Sequence, residues 1–189
     1  ARAYGIPVHM DGARFTNALV ALGCTAAEMT WKSGIDVLSF GGTKNGLLGA
    51  EAVVMFDPAR AWEFELRRKR GAHLFSKHRY LSAQMAAYLE DDLWLEMGRA
   101  ANTRAAPLAR GLDAAQGVEM LHPVEANMLF PQMPRALHRA AMEVGHYYLW
   151  PGGASRDRPD DKALSSRMVA SWCTTDEDVE TILHAIRAG

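Results

Sequence analysis

The chain has 189 residues, of which 49% are hydrophobic and 23% charged, and 21 Lys and Arg stand against 22 Asp and Glu for a formal net charge of −1. That balance excludes a disordered or collagen-like chain, and near-neutral charge excludes a nucleic-acid partner held by bulk charge. Apolar runs are short and broken by Gly, Pro or charge, so no transmembrane helix and no membrane partner is expected; the length allows one large domain or two small ones.

The two cysteines, Cys24 and Cys173, match no CxxC or zinc spacing, so a reduced cytoplasmic protein without a metal site is expected. The chain opens Ala1-Arg2-Ala3-Tyr4-Gly5, with no initiator Met and no signal pattern. Gly5 ahead of an apolar run reads as a helix end feeding a strand, and the chain is expected to begin inside a larger fold.

In chain order, Ile6–Met10 reads as a short buried strand with Pro7 near its start. Phe15–Leu22 is helical up to Gly23, and Thr25–Met29 forms a further helical turn. Ile35–Phe40 is the next strand, Gly41-Gly42-Thr43-Lys44-Asn45-Gly46 a glycine-rich turn, and Ala52–Phe56 a third strand closed by Asp57-Pro58 as helix cap and first residue. From Trp62 to about Arg99 the period is helical, with one break near Gly71. Strands alternating with helices indicate an α/β layer architecture. Beyond Asn102 the texture changes. Helices are expected over Ala105–Ala115 and Arg135–Glu143, and strands over Val118–Leu121, Asn127–Phe130, Tyr147–Trp150 and Met168–Trp172. Thr174-Thr175-Asp176-Glu177 is a capping-box pattern for a last helix through Ala188. Residues 1–102 therefore read as a large α/β domain and 103–189 as a small α+β domain with an antiparallel sheet. Trp62, Trp94, Trp150 and Trp172 are expected in the core.

Chemistry concentrates in His9-Met10-Asp11-Gly12-Ala13-Arg14 and in Ser39-Phe40-Gly41-Gly42-Thr43-Lys44-Asn45-Gly46. Each places a charged group just after a predicted strand, and ligands of open α/β sheets bind beyond the carboxyl ends of strands. A lysine hemmed in by glycines admits a flat ligand to the backbone, and partial burial makes its amine nucleophilic. A Schiff-base lysine with a carboxylate for a pyridinium nitrogen is the pair that pyridoxal 5'-phosphate (PLP) chemistry requires. Blander roles compete. Lys44 serves equally as a solvated loop lysine, Asp11 as N-cap of the Phe15 helix, Arg14 as a surface residue, and Thr43 as a phosphate ligand or a turn former. Arg167 can pair with Asp160 or Asp161 at the surface. His9 is expected to be a buried structural histidine, and Asn127 to line a pocket or end a strand. Arg67–Arg70 reads as a solvated helix end or as a contact to a cofactor phosphate across a subunit interface. His73 and His78 are not spaced as a helix-face metal pair.

The strings HMDGAR and SFGGTKNG together resemble the low-specificity L-threonine aldolase group of fold-type I PLP enzymes. The resemblance implies the later part of an aminotransferase-like PLP-binding large domain, with a mostly parallel sheet, followed by the small C-terminal domain. It implies that Lys44 carries the cofactor, that Asp11 pairs with the pyridine nitrogen, and that Arg14 lies near the phenolic oxygen and the substrate carboxylate. Arg167, in Ser165-Ser166-Arg167-Met168-Val169, matches the family's carboxylate clamp. The implied reaction splits the Cα–Cβ bond of L-threonine, L-allo-threonine and similar amino acids into glycine and an aldehyde, in a homodimer or homotetramer with shared sites. A phosphate loop and a ring-stacking residue would precede Ala1. β-Elimination or transamination on the same frame, or a non-catalytic oligomerising fragment, are the alternatives.

Overall fold

The structure is a computed structural model and describes residues 1–150, 152, 154–157 and 162–189. Two compact units divide the chain, Ala1–Gly98 and Arg99–Gly189.

The first unit holds a three-stranded sheet in the order β1 (His9–Gly12), β2 (Val37–Gly41), β3 (Glu51–Met55). β1 and β2 run parallel, separated by α1 (Phe15–Leu22) and α2 (Ala26–Met29). β3 returns antiparallel to β2, because the Gly42–Ala50 connection is too short for the crossover that a parallel strand needs. The sheet described is thus mixed, where mostly parallel pairing was expected. β1 begins at His9 and ends at Gly12, so Asp11 lies within the strand. Ahead of it the Val8 amide donates to the Asp36 carboxylate at 2.7 Å instead of joining the ladder.

α1 follows its predicted span. It buries Phe15 and Leu19 and stops at Gly23, whose left-handed φ of 63° lets its amide bond the Leu19 carbonyl. Thr25 and Glu28 form a reciprocal capping box at the start of α2. The core of this unit gathers around Phe40 on β2. Its ring meets Phe15 at 5.8 Å, Trp94 at 5.7 Å and Tyr88 at 5.9 Å, so the strand end preceding the glycine turn is wedged from three helices.

The predicted helical stretch has two breaks rather than one. α3 (Ala61–Arg70) and α4 (Arg79–Leu89) are separated by a segment in which Ala72 and Lys77 have positive φ. Asp91 and Asp92, at φ 48° and 59°, then divide α4 from α5 (Leu93–Asp113). α5 itself is continuous through Asn102 and Pro107, joining what reads in sequence as two helices. Ala101, Ala105, Leu108 and Leu112 are buried along it at spacings of one helical face, which keeps it going. Both the division between the units and the expected boundary at 102/103 fall inside this helix.

The second unit is an antiparallel sheet covered by helices. β4 (Glu119–Met120), β6 (Pro131–Pro134), β8 (Ala163–Val169) and β5 (Met128–Leu129) follow in that order, and β7 (Tyr148–Leu149) also pairs with β8. α6 (Arg135–Val144) and α7 (Asp176–Ala188) pack on each other. Leu112, Leu129, Met133, Ala141, Met168 and Leu183 are all buried in one cluster. α7 is opened by Thr175 and Asp178, one residue later than the predicted box. Of the four tryptophans expected inside, only Trp94 packs on a core. Trp62, Trp150 and Trp172 are exposed, Trp62 because α3 buries none of its residues. Among the described residues no helix is long and apolar enough to cross a membrane.

Candidate active site

Asp11 stands opposite Ser39 in the parallel register of β1 and β2, so the carboxyl ends of both strands open at the same place. Its side chain is exposed, and its Oδ1 accepts the Ala13 amide at 3.0 Å. The helix cap that stood as an alternative role for Asp11 is not made. Arg14 occupies the N-cap position of α1, without a side-chain cap bond, and Asp11 shapes the turn two residues beyond itself instead. Its second oxygen has no partner among the described residues. Arg14 is half-buried. His9 shares the strand face of Asp11 and is exposed, not buried; its Nε2 lies 2.8 Å from the Ser39 hydroxyl.

Lys44 sits in the single 3-10 turn Thr43–Asn45 that follows β2. Around it the backbone is pinned. Gly42 donates to Ala50, Asn45 and Leu47 donate to the Gly42 carbonyl, and the Thr43 amide donates to Glu51 Oε1 at 3.2 Å. The Thr43 hydroxyl reaches the Ala50 carbonyl at 3.5 Å, so both groups of Thr43 hold the turn. A Cβ on Gly41 would come within 2.8 Å of Ala13 Cα, and one on Gly42 within 2.4 Å of Leu47. Gly41 therefore lets the end of β2 approach the Asp11–Arg14 turn, and Gly42 lets the Lys44 turn close on Leu47 and Ala50, where the sequence suggested room for a ligand. Lys44 is exposed, contrary to the partial burial expected, and no described residue bonds its amine.

Sequence reasoning passed over the anchor of this turn. Asn45 is buried, and its Nδ2 donates to the Tyr88 hydroxyl at 2.5 Å and to the Trp94 carbonyl at 3.1 Å. Tyr88 also meets Thr16 Oγ1 at 3.3 Å, and burial raises its phenol above the ordinary tyrosine value. The residue after Lys44 is thus tied to α1, α4 and α5 at once. The only sequence signal was an amide between lysine and glycine, which reads as turn chemistry.

Arg167 lies in the second unit, in the middle of β8. The strand expected from Met168 begins earlier, at Ala163, and ends at Val169. Both serine hydroxyls ahead of Arg167 are satisfied: Ser166 Oγ donates to the Pro131 carbonyl, and Ser165 Oγ to the Trp150 carbonyl. Strand alternation turns Ser166 and Met168 into the core and Arg167 to the other face. Its guanidinium carbon lies 5.6 Å from the Tyr148 ring centre and 5.4 Å from that of Trp150. Arg167 Nε is buried and unpartnered among the described residues. The suggested partners Asp160 and Asp161 lie outside the described residues.

Other candidates sort by their bonds. Asn127 is buried, with its Nδ2 donating to the Ala170 carbonyl at 2.8 Å and its own carbonyl accepting the Ala170 amide, so it ties off a strand. In the basic run, Arg67 pairs with Glu63 and Arg68 with Glu65 on the helix surface. Arg68 also faces His78 across 3.5 Å, beside a cavity of about 1090 Å³ in the first unit.

Residues 1–134 match the family model described as beta-eliminating lyase. The low specificity L-threonine aldolase of Pseudomonas sp. (strain NCIMB 10558) is 42% identical over 97% of this chain and 51% of its own length. The Pseudomonas aeruginosa protein of the same name is 39% identical over 97% and 50%. Among solved structures, a Leishmania major threonine aldolase matches with a TM-score of 0.82 at 25% identity, covering 99% of this chain and 53% of the other. An Exiguobacterium protein, at 20% identity and a TM-score of 0.70, shares the fold. The chain spans about half the length of the curated relatives it matches. With its strand-end carboxylate and glycine-flanked lysine in the matched region, the chain belongs to the beta-eliminating lyase family.

Proposed function

We propose that this chain carries the lysine, carboxylate and substrate-clamping arginine of a PLP-dependent carbon–carbon lyase. Its substrates are L-threonine, L-allo-threonine and related β-hydroxy-α-amino acids, split at Cα–Cβ into glycine and an aldehyde. The observation that carries the reading is the pairing of Asp11 and Lys44 at one end of a parallel strand pair, each with a functional atom that no described residue engages. Similarity to low specificity L-threonine aldolases over 97% of the chain supports the choice of reaction.

The residues present suit PLP: an amine for covalent attachment, a carboxylate for the ring nitrogen, and two guanidiniums. When bound, PLP supplies an electron sink for the pair released at Cα. In this reading the Asp11 carboxylate holds a proton at the pyridine nitrogen. Its geometry is set by the Ala13 amide on Oδ1, which leaves Oδ2 for that bond. Lys44 Nζ bears the attachment, on a turn that Asn45 and Glu51 prevent from drifting. Arg167 takes the substrate carboxylate with its planar fork, a bidentate fit that lysine cannot reproduce. Arg14 adds a second positive group toward the phenolic oxygen and that carboxylate. Fixing the carboxylate fixes rotation about the Cα–N bond and so selects Cα–Cβ for cleavage; orientation of this kind is worth about 7–11 kcal/mol where alignment is good. Thr43 contributes by shaping the turn. A cytoplasmic homodimer or homotetramer belongs to the same reading, and both cysteines are free, as a reducing compartment requires.

The test is aldehyde release from threonine by the intact PLP-loaded protein, compared with Lys44→Ala. The parent releases aldehyde and glycine and shows a chromophore that borohydride removes; the variant does neither. Retained turnover in Lys44→Ala overturns the assignment. Formation of pyruvate or a keto acid in place of the aldehyde moves the reaction to elimination or transamination.

A further inference from the structure

We propose that Tyr148 and Trp150 are positioning residues that hold the Arg167 guanidinium ready for a carboxylate, an inference that rests on the carboxylate role given to Arg167 above. Three observations place them. Tyr148 is the direct cross-strand partner of Arg167 between β7 and β8, so the two side chains leave the sheet on one face. Trp150, just past the end of β7, brings its ring to the same guanidinium, 5.4 Å from the guanidinium carbon. Its backbone is clamped to β8, with the Trp150 amide donating to the Ser165 carbonyl at 2.8 Å and the Ser165 hydroxyl donating to the Trp150 carbonyl. The guanidinium lies over both rings, within the range of cation–π attraction.

The exposure of these rings is otherwise unexplained. Tyr148 is 71% and Trp150 50% exposed, on a face that leaves the core of the second unit to other residues. Among the described residues, which do not include Asp160 and Asp161, Arg167 Nε is buried without a partner and no carboxylate pairs with the guanidinium. A cation held by two ring faces and engaged by no carboxylate among the described residues is oriented in advance yet still available to an incoming anion. A long flexible side chain loses rotamer freedom when it binds, and bracketing it beforehand lowers that cost at the moment of capture. The effect belongs to substrate binding, so it is read in KM rather than in kcat.

The experiment compares steady-state constants for threonine in the intact PLP-loaded enzyme and in Arg167→Ala, Tyr148→Leu/Trp150→Leu, Tyr148→Phe/Trp150→Phe, and the leucine pair combined with Arg167→Ala. Cofactor absorbance reports that each variant folds and loads. The leucine pair is expected to raise KM about five- to tenfold with kcat within about twofold, and the phenylalanine pair, which keeps both rings, to restore KM. On the Arg167→Ala background the leucine pair adds nothing, because the rings act through Arg167. If Arg167→Ala raises KM and the leucine pair does not, or if the two effects multiply independently, the positioning role is overturned while the carboxylate clamp stands. A leucine pair that fails to load, together with a phenylalanine pair that does not keep the parent KM, also overturns it. An unchanged KM in Arg167→Ala overturns the clamp, and the positioning role with it.

Discussion

The two units present their charged groups by opposite means. In the first, Asp11 and Lys44 project from a strand end and a turn, and what keeps them in place lies behind them: the Phe40 ring cluster and the Asn45–Tyr88 bond. In the second, Arg167 rises from the middle of an antiparallel strand whose other face is core, and what steadies it stands beside it on the same surface. Turn-borne groups gain reach and depend on buried polar anchors. Strand-borne groups inherit their direction from the ladder and need only lateral neighbours. A substitution behind each group should therefore act differently in the two units.

The largest effect is expected where the support is pure core. Leu112→Ala empties a site that is fully buried in the second unit and should cost about 2–5 kcal/mol, seen as a lower denaturant midpoint. Because β8 keeps its pairing, kcat should change little at temperatures where the variant is folded; a large fall in kcat there would mean that the face of Arg167 depends on core packing more than on the ladder. Asn45→Ala is the counterpart in the first unit. It strips a buried donor from the Tyr88 hydroxyl and the Trp94 carbonyl, costing about 1–3 kcal/mol. Its second consequence should be larger than its stability cost implies. A Lys44 turn displaced by about an ångström loses on the order of a hundredfold in kcat. A variant as active per folded molecule as the parent would show that Gly42, Thr43 and Glu51 suffice to hold Lys44.

The same contrast explains what could be read in advance. α1 with its Gly23 stop, the helical turn after Thr25 and the Asp57-Pro58 helix entry are local devices, and local chemistry encodes them within a few residues. The placement of Asp11 and Lys44 at neighbouring strand ends was legible because strands, glycines and charge recur in a short span. Their exposure, the direction of β3 and the anchor Asn45 were not, since each depends on what lies across the sheet or two helices away. β6 went unrecognised because prolines bracket it, and the early start of β8 because two serines, Ser165 and Ser166, interrupt its apolar pattern. Pairing with Arg167 could not be inferred from Tyr148-Leu149-Trp150 alone: a one-residue slip in register would send the Tyr148 ring to the opposite face.

The smallest effect, and the most selective, concerns pH. His138 is fully buried; its Nε2 hydrogen donates to the Leu164 carbonyl at 2.9 Å, which leaves Nδ1 to accept the Tyr147 hydroxyl at 3.0 Å. Burial holds its pKa below the ordinary 6.5, only partly opposed by the Leu164 bond. The unfolded chain then binds a proton near pH 6.5 that the folded chain refuses. Stability contributed by the neutral ring is complete above 6.5, declines as pH falls below it, and stops declining once the lowered folded value is passed. The capping carboxylates Glu28 and Asp178 are also held below their ordinary values, by their hydrogen bonds to Thr25 and Thr175, but they lose stability only in more acid solution, since their unfolded counterparts titrate near 4.5 and 3.8. Between about pH 6.5 and 5 the decline therefore reports the histidine. His138→Gln should be less stable than the parent at pH 7.5, because a buried bond is disturbed, and its denaturant midpoint should be flatter across that window. A stability difference between the two proteins that stays constant from pH 7.5 to 5 would show that the fold accommodates a proton on Nδ1, with the Tyr147 hydroxyl turning from donor to acceptor, and the acid sensitivity of the second unit would have to be sought in its surface charges.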